Sequence, residues 1–508
     1  MGLTGFGVIV FVGGLLALNA SYRWAVFGLA ALAMFACASA LVLPGNISIL
    51  PANLFLAFFA IRAFNLGGGA QFGRVVAFGK PGFWLLCTVL WAVLGAIVLP
   101  RVLAGSTLVF TIDRNAVDPN QAGMLQPLGP VSGNLTQSVY CVGDLIAFCC
   151  MGVFMNIRGA YRVLANAILL VAGLNVAAGV IDIASHAAGA DVLSVVKTAQ
   201  FADLSGWTLG GLVRISGTFS ETAAFAYFTI EMFAFCLVLW LFGYRPKTSG
   251  TLAAGSALLL LLSTSGSAYV GLGGYLAVLV LSRPGQITRI AEARKLRVLI
   301  LMVSLGVLAS LYIGLFMPSV VKALGDFVEV TVLSKADSAS GVERAGLNAQ
   351  AFTNFFETYG VGAGIGSQRV SSFVAVLVGG LGVVGTVCYA LFIGKTTLSP
   401  IQRHYPLEER AIAYAARHGV FAALIVASVS GSTFYLGPCF YMLAAAAGGL
   451  SVPLRRRVAV QPQRVQPVLD ITPVSAGSTG SPATRGARDP QAKRLPMQVG
   501  SARGGRIA

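Results

Sequence analysis

The sequence predicts an all-α fold, a polytopic integral membrane protein of 12 to 13 transmembrane helices with a large external loop that carries an amphipathic helix. Three observations predict it. Of the 508 residues, 56% are hydrophobic and only 10% charged, and the mean hydropathy is +0.81, a balance that excludes a water-soluble globule. Apolar runs of about 20 residues, the length a helix needs to cross a bilayer, recur along most of the chain. The runs are continuous, as in "WAVFGLAALAMFACASALVL" and "VLILMVSLGVLASLYIGLFM", whereas a β-barrel would show alternating segments of about ten residues.

Hydropathy sets spans at residues 4 to 20, 24 to 43, 49 to 64, 83 to 103, 137 to 157, 161 to 184, 221 to 242, 250 to 264, 267 to 282, 297 to 317, 372 to 394, 410 to 429 and 432 to 450. The count is 12 or 13 because the third span carries Pro51 and the eighth is short. Basic residues gather in "RGAYR", "YRPK", "RPGQITRIAEARKLR" and "KTTLSPIQRHYPLEER", all on one side of this layout. The excess of Lys and Arg predicts that side to be the cytoplasm. The chain divides into a transmembrane domain, 1 to 450, and a tail, 451 to 508. Ten basic residues stand in that tail against Asp470 and Asp489, among Pro, Gly, Ser and Gln, which reads as a disordered cytoplasmic segment. The net charge of +17 therefore marks orientation beside anionic lipid and not a nucleic-acid partner.

Segments 104 to 136, 186 to 220 and 318 to 371 fall on the external side. In the last, Leu347, Ala351, Phe352, Phe355 and Phe356 form one helical stripe, an amphipathic helix at the membrane surface. The eight cysteines lie mostly inside apolar runs without metal-type spacing, so neither a disulfide framework nor a zinc site is expected. No internal repeat stands out, which weighs against an inverted-repeat transporter.

Candidate chemistry collects in the external segments. "VRISGTFSETAAF" carries Arg214 and Glu221 where the chain enters the seventh span. As an isolated arginine Arg214 reads equally well as an interfacial anchor, and Glu221 as a carboxylate at a helix start capped by Thr218 or Ser220. "GVERAGLNAQAF" adds Glu343 and Arg344, and "YGVGAGIGSQRVSS" follows with Gly360, Gly362, Gly364 and Gly366 alternating before Ser367 and Arg369. Such glycines permit close approach of backbone to a ligand or a neighbouring helix. His186 reads as a loop residue, while Asp144 and Glu231 lie within spans, where an acid is functional or paired.

Four pieces of the chain carry a resemblance: "NLTQSVY", "RISGTFSETAAFA", "LLLLSTSGSAYVGL", and "ERAGLNAQAFTNFFETYGVGAGIGS" with the later "GGLGVVG". Together, from Asn134 to Gly385, they resemble the O-antigen ligase and polymerase (Wzy-type) family, membrane glycosyltransferases acting on undecaprenyl-diphosphate glycans. Ligase-like members usually read T-x-S-R where this chain has "STSGS", so Gly266 stands in place of an arginine. They also tend to carry a His-Asn pair where Ser371 and Ser372 lie. Phe219 to Glu221 and the Ser265–Gly266 pair look more like the exopolysaccharide-polymerase branch, although that branch often reads E-P-S where this chain has "ETA".

The resemblance implies a polymerase of lipid-linked repeat units at the outer face of the bacterial plasma membrane. Ligation of finished glycan to lipid A core is the first alternative, and a flippase or transporter the alternative from another class. The implied partners are the undecaprenyl-diphosphate-linked oligosaccharide, membrane lipid, a flippase and a chain-length regulator, with no cofactor and no metal. A sugar leaving from a lipid diphosphate develops negative charge there, and arginine meets phosphate oxygens bidentately without deprotonating. Arg214 and Arg344 are thus the expected diphosphate ligands, with Arg369 in reserve. Glu221, ahead of Glu343, is the expected base for the acceptor hydroxyl. Gly362, Gly364, Gly366 and Ser367 form the glycine-rich loop beside them.

Overall fold

The computed structural model describes residues 2–43, 47–110, 124–199, 208–209, 212–316 and 339–450. The tail 451 to 508 and the first part of the longest external segment, 318 to 338, lie outside the described residues. Among the described residues the chain is helical and has eight helices long and apolar enough to cross a membrane, the architecture of a helical membrane protein. In chain order the helices are α1 Gly5–Asn19, α2 Tyr22–Ala33, α3 Pro51–Val75, α4 Pro81–Val102, α5 Ser132–Phe154, α6 Ala160–Ala187, α7 Thr222–Phe242, α8 Pro246–Leu262, α9 Gly266–Leu281, α10 Arg289–Phe316, α11 Ala339–Glu357, α12 Phe373–Thr397, α13 Leu407–Ser430 and α14 Pro438–Gly449. The eight are α3 to α7, α10, α12 and α13, while α1, α2, α9 and α14 are shorter apolar helices.

Two expected spans are shorter than hydropathy alone suggests. α2 stops at Ala33, and its apolar continuation Leu41–Leu43 pairs antiparallel with Ile47–Ile49 and with Gly2–Leu3. α14 begins only at Pro438, because residues 431 to 437 are non-helical. In both places the chain is apolar enough for a helix, but the backbone is satisfied by other partners. Two further ribbons, Leu108–Phe110 with Leu125–Pro127 and Thr208–Leu209 with Leu212–Val213, are small sheets that an all-α expectation omits. Each pairs loop backbone that would otherwise need water.

At the centre stands α7, whose residues from Thr222 to Leu241 are buried on nearly every side. It packs against α13, α8, α9 and α6. α14 packs against α13 and α5, and its small run Ala444 to Ala447 is buried, since small side chains let helix backbones come close inside a bundle. A second group joins α3 to α1, α2 and α5, and α4 to α5 and α12. α10 is the opposite case: Leu301, Leu305 and Leu308 are exposed along it, as expected of a helix whose apolar surface faces lipid.

The start of α12 departs from α-helix. Val376–Leu381 is a π segment, ended by Gly382 at φ 61°, and such segments release carbonyls from the regular ladder. Here partners outside the helix accept that role. The N–H groups of Ala363 and Gly364 donate to the carbonyls of Gly379 (2.8 Å) and Gly380 (3.0 Å), and Trp91 Nε1 of α4 donates to Leu381 O at 2.7 Å. The glycine-rich stretch is thereby stitched to α12.

On α11 the buried face differs from the expected aromatic stripe. Leu347 and Ala351 are buried as expected, but they share that face with Asn354, and Phe352 and Phe356 are exposed. The helix docks on the protein through small and polar residues because the neighbouring loop offers Thr107 Oγ1, 2.9 Å from the Asn354 amide. Phe352 and Phe356 point away, while Phe355 is half-buried beside Gly360.

Candidate active site

A cavity of about 600 Å³ opens where the N-terminal ends of α5, α7, α9 and α12 meet the segment that follows α13. Every candidate charged residue lines it: Arg214, Glu221, Glu343, Arg344 and Arg369. So do Gly364, Gly366 and Ser367, whereas Gly362 does not. The four sequence segments that carry the family resemblance thus converge on one space, from positions more than 200 residues apart in the chain.

Arg214 is set by a pinned strap. Asp182, near the end of α6, accepts the N–H groups of Ser216 (2.8 Å) and Gly217 (2.9 Å) through Oδ2. Lys197 Nζ donates to Ser216 Oγ at 3.0 Å, and Thr218 Oγ1 donates to Met34 O at 2.6 Å. The strap turns at Gly217, φ 55°, a left-handed conformation that side chains disfavour. With its neighbours held from three directions, Arg214 is half-buried and directed to the cavity. Its Nε is buried without a hydrogen-bond partner among the described residues. Burial pulls the guanidinium below the usual arginine range; Glu221 opposes that shift and Arg344 reinforces it. The three groups therefore feel one another's charge.

Thr218 and Ser220 do not cap α7. The N-cap residue is Glu221 itself, in extended backbone and with no side-chain capping bond, so its carboxylate is left to the cavity. Glu343 does not pair with its chain neighbour Arg344: Glu343 Oε1 lies 3.1 Å from Arg369 Nη1. Adjacent residues on a helix diverge by about 100°, which explains why sequence adjacency misleads here. Among the described residues Arg344 has no ion pair, so Arg214 and Arg344 share the cavity with one uncompensated carboxylate, Glu221.

The glycine-rich loop closes the far wall. Gly360, Gly362, Gly364 and Gly366 all have φ between 74° and 92°. At Gly366 a Cβ would stand 2.2 Å from Gly133 O, and at Gly364 2.9 Å from Gly95 O. Of the two close approaches that such glycines permit, the structure shows the one to neighbouring helices. Gly362 is spent on the π segment, where a Cβ would meet Gly382 N at 2.6 Å.

Asn134, within "NLTQSVY", organises this wall, a role that its sequence context does not mark. Its Nδ2 donates to Ile365 O and to Ser367 Oγ, both at 2.8 Å, and its Oδ1 accepts from Val131 N at 2.9 Å. Thr136, Gln137, Ser265, Ser267, Ser432 and Thr433 add polar lining. Single hydroxyl and amide residues beside apolar runs carry no pattern that would distinguish them in sequence.

Positive potential at the cavity comes from more than the arginines. The first turns of α5, α7 and α9 open onto it at Ser132, Thr222 and Ser267, and helix N-termini carry unsatisfied N–H groups and the positive end of the dipole. The arrangement suits a multiply charged anion.

The two acids within spans lie elsewhere. Asp144 is buried in α5, and Glu231, buried in α7, borders a separate apolar cavity of about 140 Å³ with Tyr227, Tyr435 and Cys439. Among the described residues one cluster of His, Cys, Asp or Glu has the spacing to hold a metal ion: Asp182, His186 and Asp191. It does not line the main cavity. Comparison with models of known protein families gives no match, and comparison with curated proteins gives none.

Proposed function

We propose that this protein is a metal-independent membrane glycosyltransferase that joins undecaprenyl-diphosphate-linked oligosaccharide repeat units at the outer face of the bacterial plasma membrane. The observation that carries the reading is the meeting of Arg214, Arg344 and Glu221 at one cavity. In this reading α1, α2, α8, α9 and α14 also cross the bilayer, which makes 13 crossings, the upper of the two counts that hydropathy sets. The basic loops and the tail face the cytoplasm, and the cavity opens on the external side.

The chemistry follows from the charges. The donor diphosphate sits between Arg214 and Arg344, against the N-termini of α5, α7 and α9. Glu221 takes the proton from the acceptor hydroxyl as its oxygen attacks the anomeric carbon. The bond from that carbon to the phosphate oxygen breaks, and the electron pair leaves with undecaprenyl diphosphate, where the two guanidiniums meet the growing charge. The Glu343–Arg369 pair is a spectator that shapes the rim.

Deleting the gene and analysing the lipid-linked glycans that accumulate tests the assignment. Single repeat units on the outer face are expected. Accumulation of finished polymer would reassign the protein as a ligase, and intermediates held on the cytoplasmic face would make it a flippase.

A further inference from the structure

We propose that Asp182, His186 and Asp191 form a binding site for a divalent transition cation, such as Zn²⁺ or Mn²⁺, at the end of α6 that holds the Arg214 strap. One ligand atom from each residue lies within 4.8 Å of the others. His186 and Asp182 are one helical turn apart on α6, and Asp191 follows just after the helix ends. Two carboxylates and an imidazole are a donor set for borderline and hard divalent ions.

The pointer beyond the clustering is the Asp182 carboxylate. It is 1% exposed, and its two oxygens have different surroundings. Oδ2 accepts two backbone N–H groups of the strap. Oδ1 is buried with no hydrogen-bond partner among the described residues, and it faces His186 Nδ1 at 3.3 Å. That nitrogen also stands 2.8 Å from Asp182 O, so a proton on Nδ1 goes to the carbonyl and leaves Oδ1 unsatisfied. A buried carboxylate oxygen without a hydrogen bond is expensive. A cation shared by Oδ1, the imidazole and Asp191 removes that expense.

Asp191 is available for it. One of its oxygens, Oδ1, accepts from Ser194 N at 3.1 Å, and the residue is exposed, with room for water to complete the coordination. Lys197, held on Ser216 Oγ, brings a positive charge to the strap, and two carboxylates outweigh it. With a cation on Oδ1, the carboxylate that clamps Ser216 and Gly217 is fixed from both sides; the cation is structural, outside the main cavity, and takes no part in the transfer step. The link from cation to Arg214 rests on the function proposed above, whereas binding itself does not.

The test uses the full chain purified in detergent and stripped with chelator, titrated with Mn²⁺ and separately with Zn²⁺. One cation per chain is expected, bound at least tenfold more weakly by the His186→Gln/Asp191→Asn double variant and unchanged by Glu221→Gln in the main cavity. Asp182 is left intact so that the strap stays clamped. A second readout needs no variant: Zn²⁺ should protect His186 of the wild-type chain from diethylpyrocarbonate, read by mass spectrometry of its peptide. Equal binding by wild type and double variant, or His186 modified equally with and without Zn²⁺, overturns the site and leaves a simple Asp182–His186 pair. Neither readout involves glycan transfer, so failure here leaves the glycosyltransferase reading standing.

Discussion

Glu343 Oε1 lies 3.1 Å from Arg369 Nη1 across the mouth of the cavity, joining α11 to the glycine-rich loop. The two side chains are 54% and 39% exposed, so the pair is solvent-screened and stabilises by no more than about 1 kcal/mol.

The consequence is a ranking of the arginines. Arg369 is neutralised by its partner, and Arg214 and Arg344 are left to meet an anion. Arg369→Ala and Glu343→Gln are expected to keep polymer yield within about threefold of wild type, while Glu221→Gln loses at least a hundredfold. Yield at matched membrane expression checks this. A Glu343→Gln variant as inactive as Glu221→Gln would transfer the base role to Glu343.

Lysine separates binding from anchoring. An arginine that merely anchors at the interface tolerates lysine, whose ammonium snorkels equally well. A bidentate phosphate ligand does not tolerate it, since the planar fork is lost. Arg214→Lys and Arg344→Lys are each expected to lose about a hundred- to a thousandfold in rate, or about 2.7 to 4 kcal/mol, by analogy with removal of an oxyanion-hole donor. Polymer of wild-type amount and length from both lysine variants would reject the paired-arginine mechanism.

Packing at the glycine-rich wall predicts a stability defect. Gly366→Ala places a methyl group 2.2 Å from Gly133 O at a φ of 79°, so the loop must move away from α5. Asn134→Ala leaves Ser367 and the Ile365 carbonyl without their buried partner, at about 1 to 3 kcal/mol. Both variants should melt at lower temperature in detergent than wild type. Gly346→Ala, where no atom lies within 4 Å of the added carbon, is the neutral control.

Orientation is open to direct labelling. A cysteine at Ala345, exposed on α11, should react with a membrane-impermeant maleimide in intact cells, and one at Lys247, exposed at the start of α8, should not. Six of the eight native thiols are buried and the other two only partly accessible, so background labelling is low. The reverse pattern would place the cavity on the cytoplasmic side and remove the basis for transfer at the outer face.

The apolar runs by themselves determined where most helices lie, because a backbone in an apolar surrounding must satisfy its own N–H and C=O groups, and the helix does so locally. Thus α4, α6, α7 and α13 fall close to the hydropathy limits. The charged candidates were legible too, since Arg214, Glu221, Glu343, Arg344 and Arg369 stand out in a chain with so few charges. Which of them meet, and in what pairing, was decided only by the tertiary structure. Glu343 is next to Arg344 in sequence yet pairs with Arg369, because a helix turns neighbours apart and packing brings a distant loop under α11. The ends of α2 and α14, the π segment of α12 and the clamp of Asp182 on Ser216 and Gly217 have the same origin. Each satisfies backbone groups through partners far away in the chain, and hydropathy, a local quantity, holds no record of them.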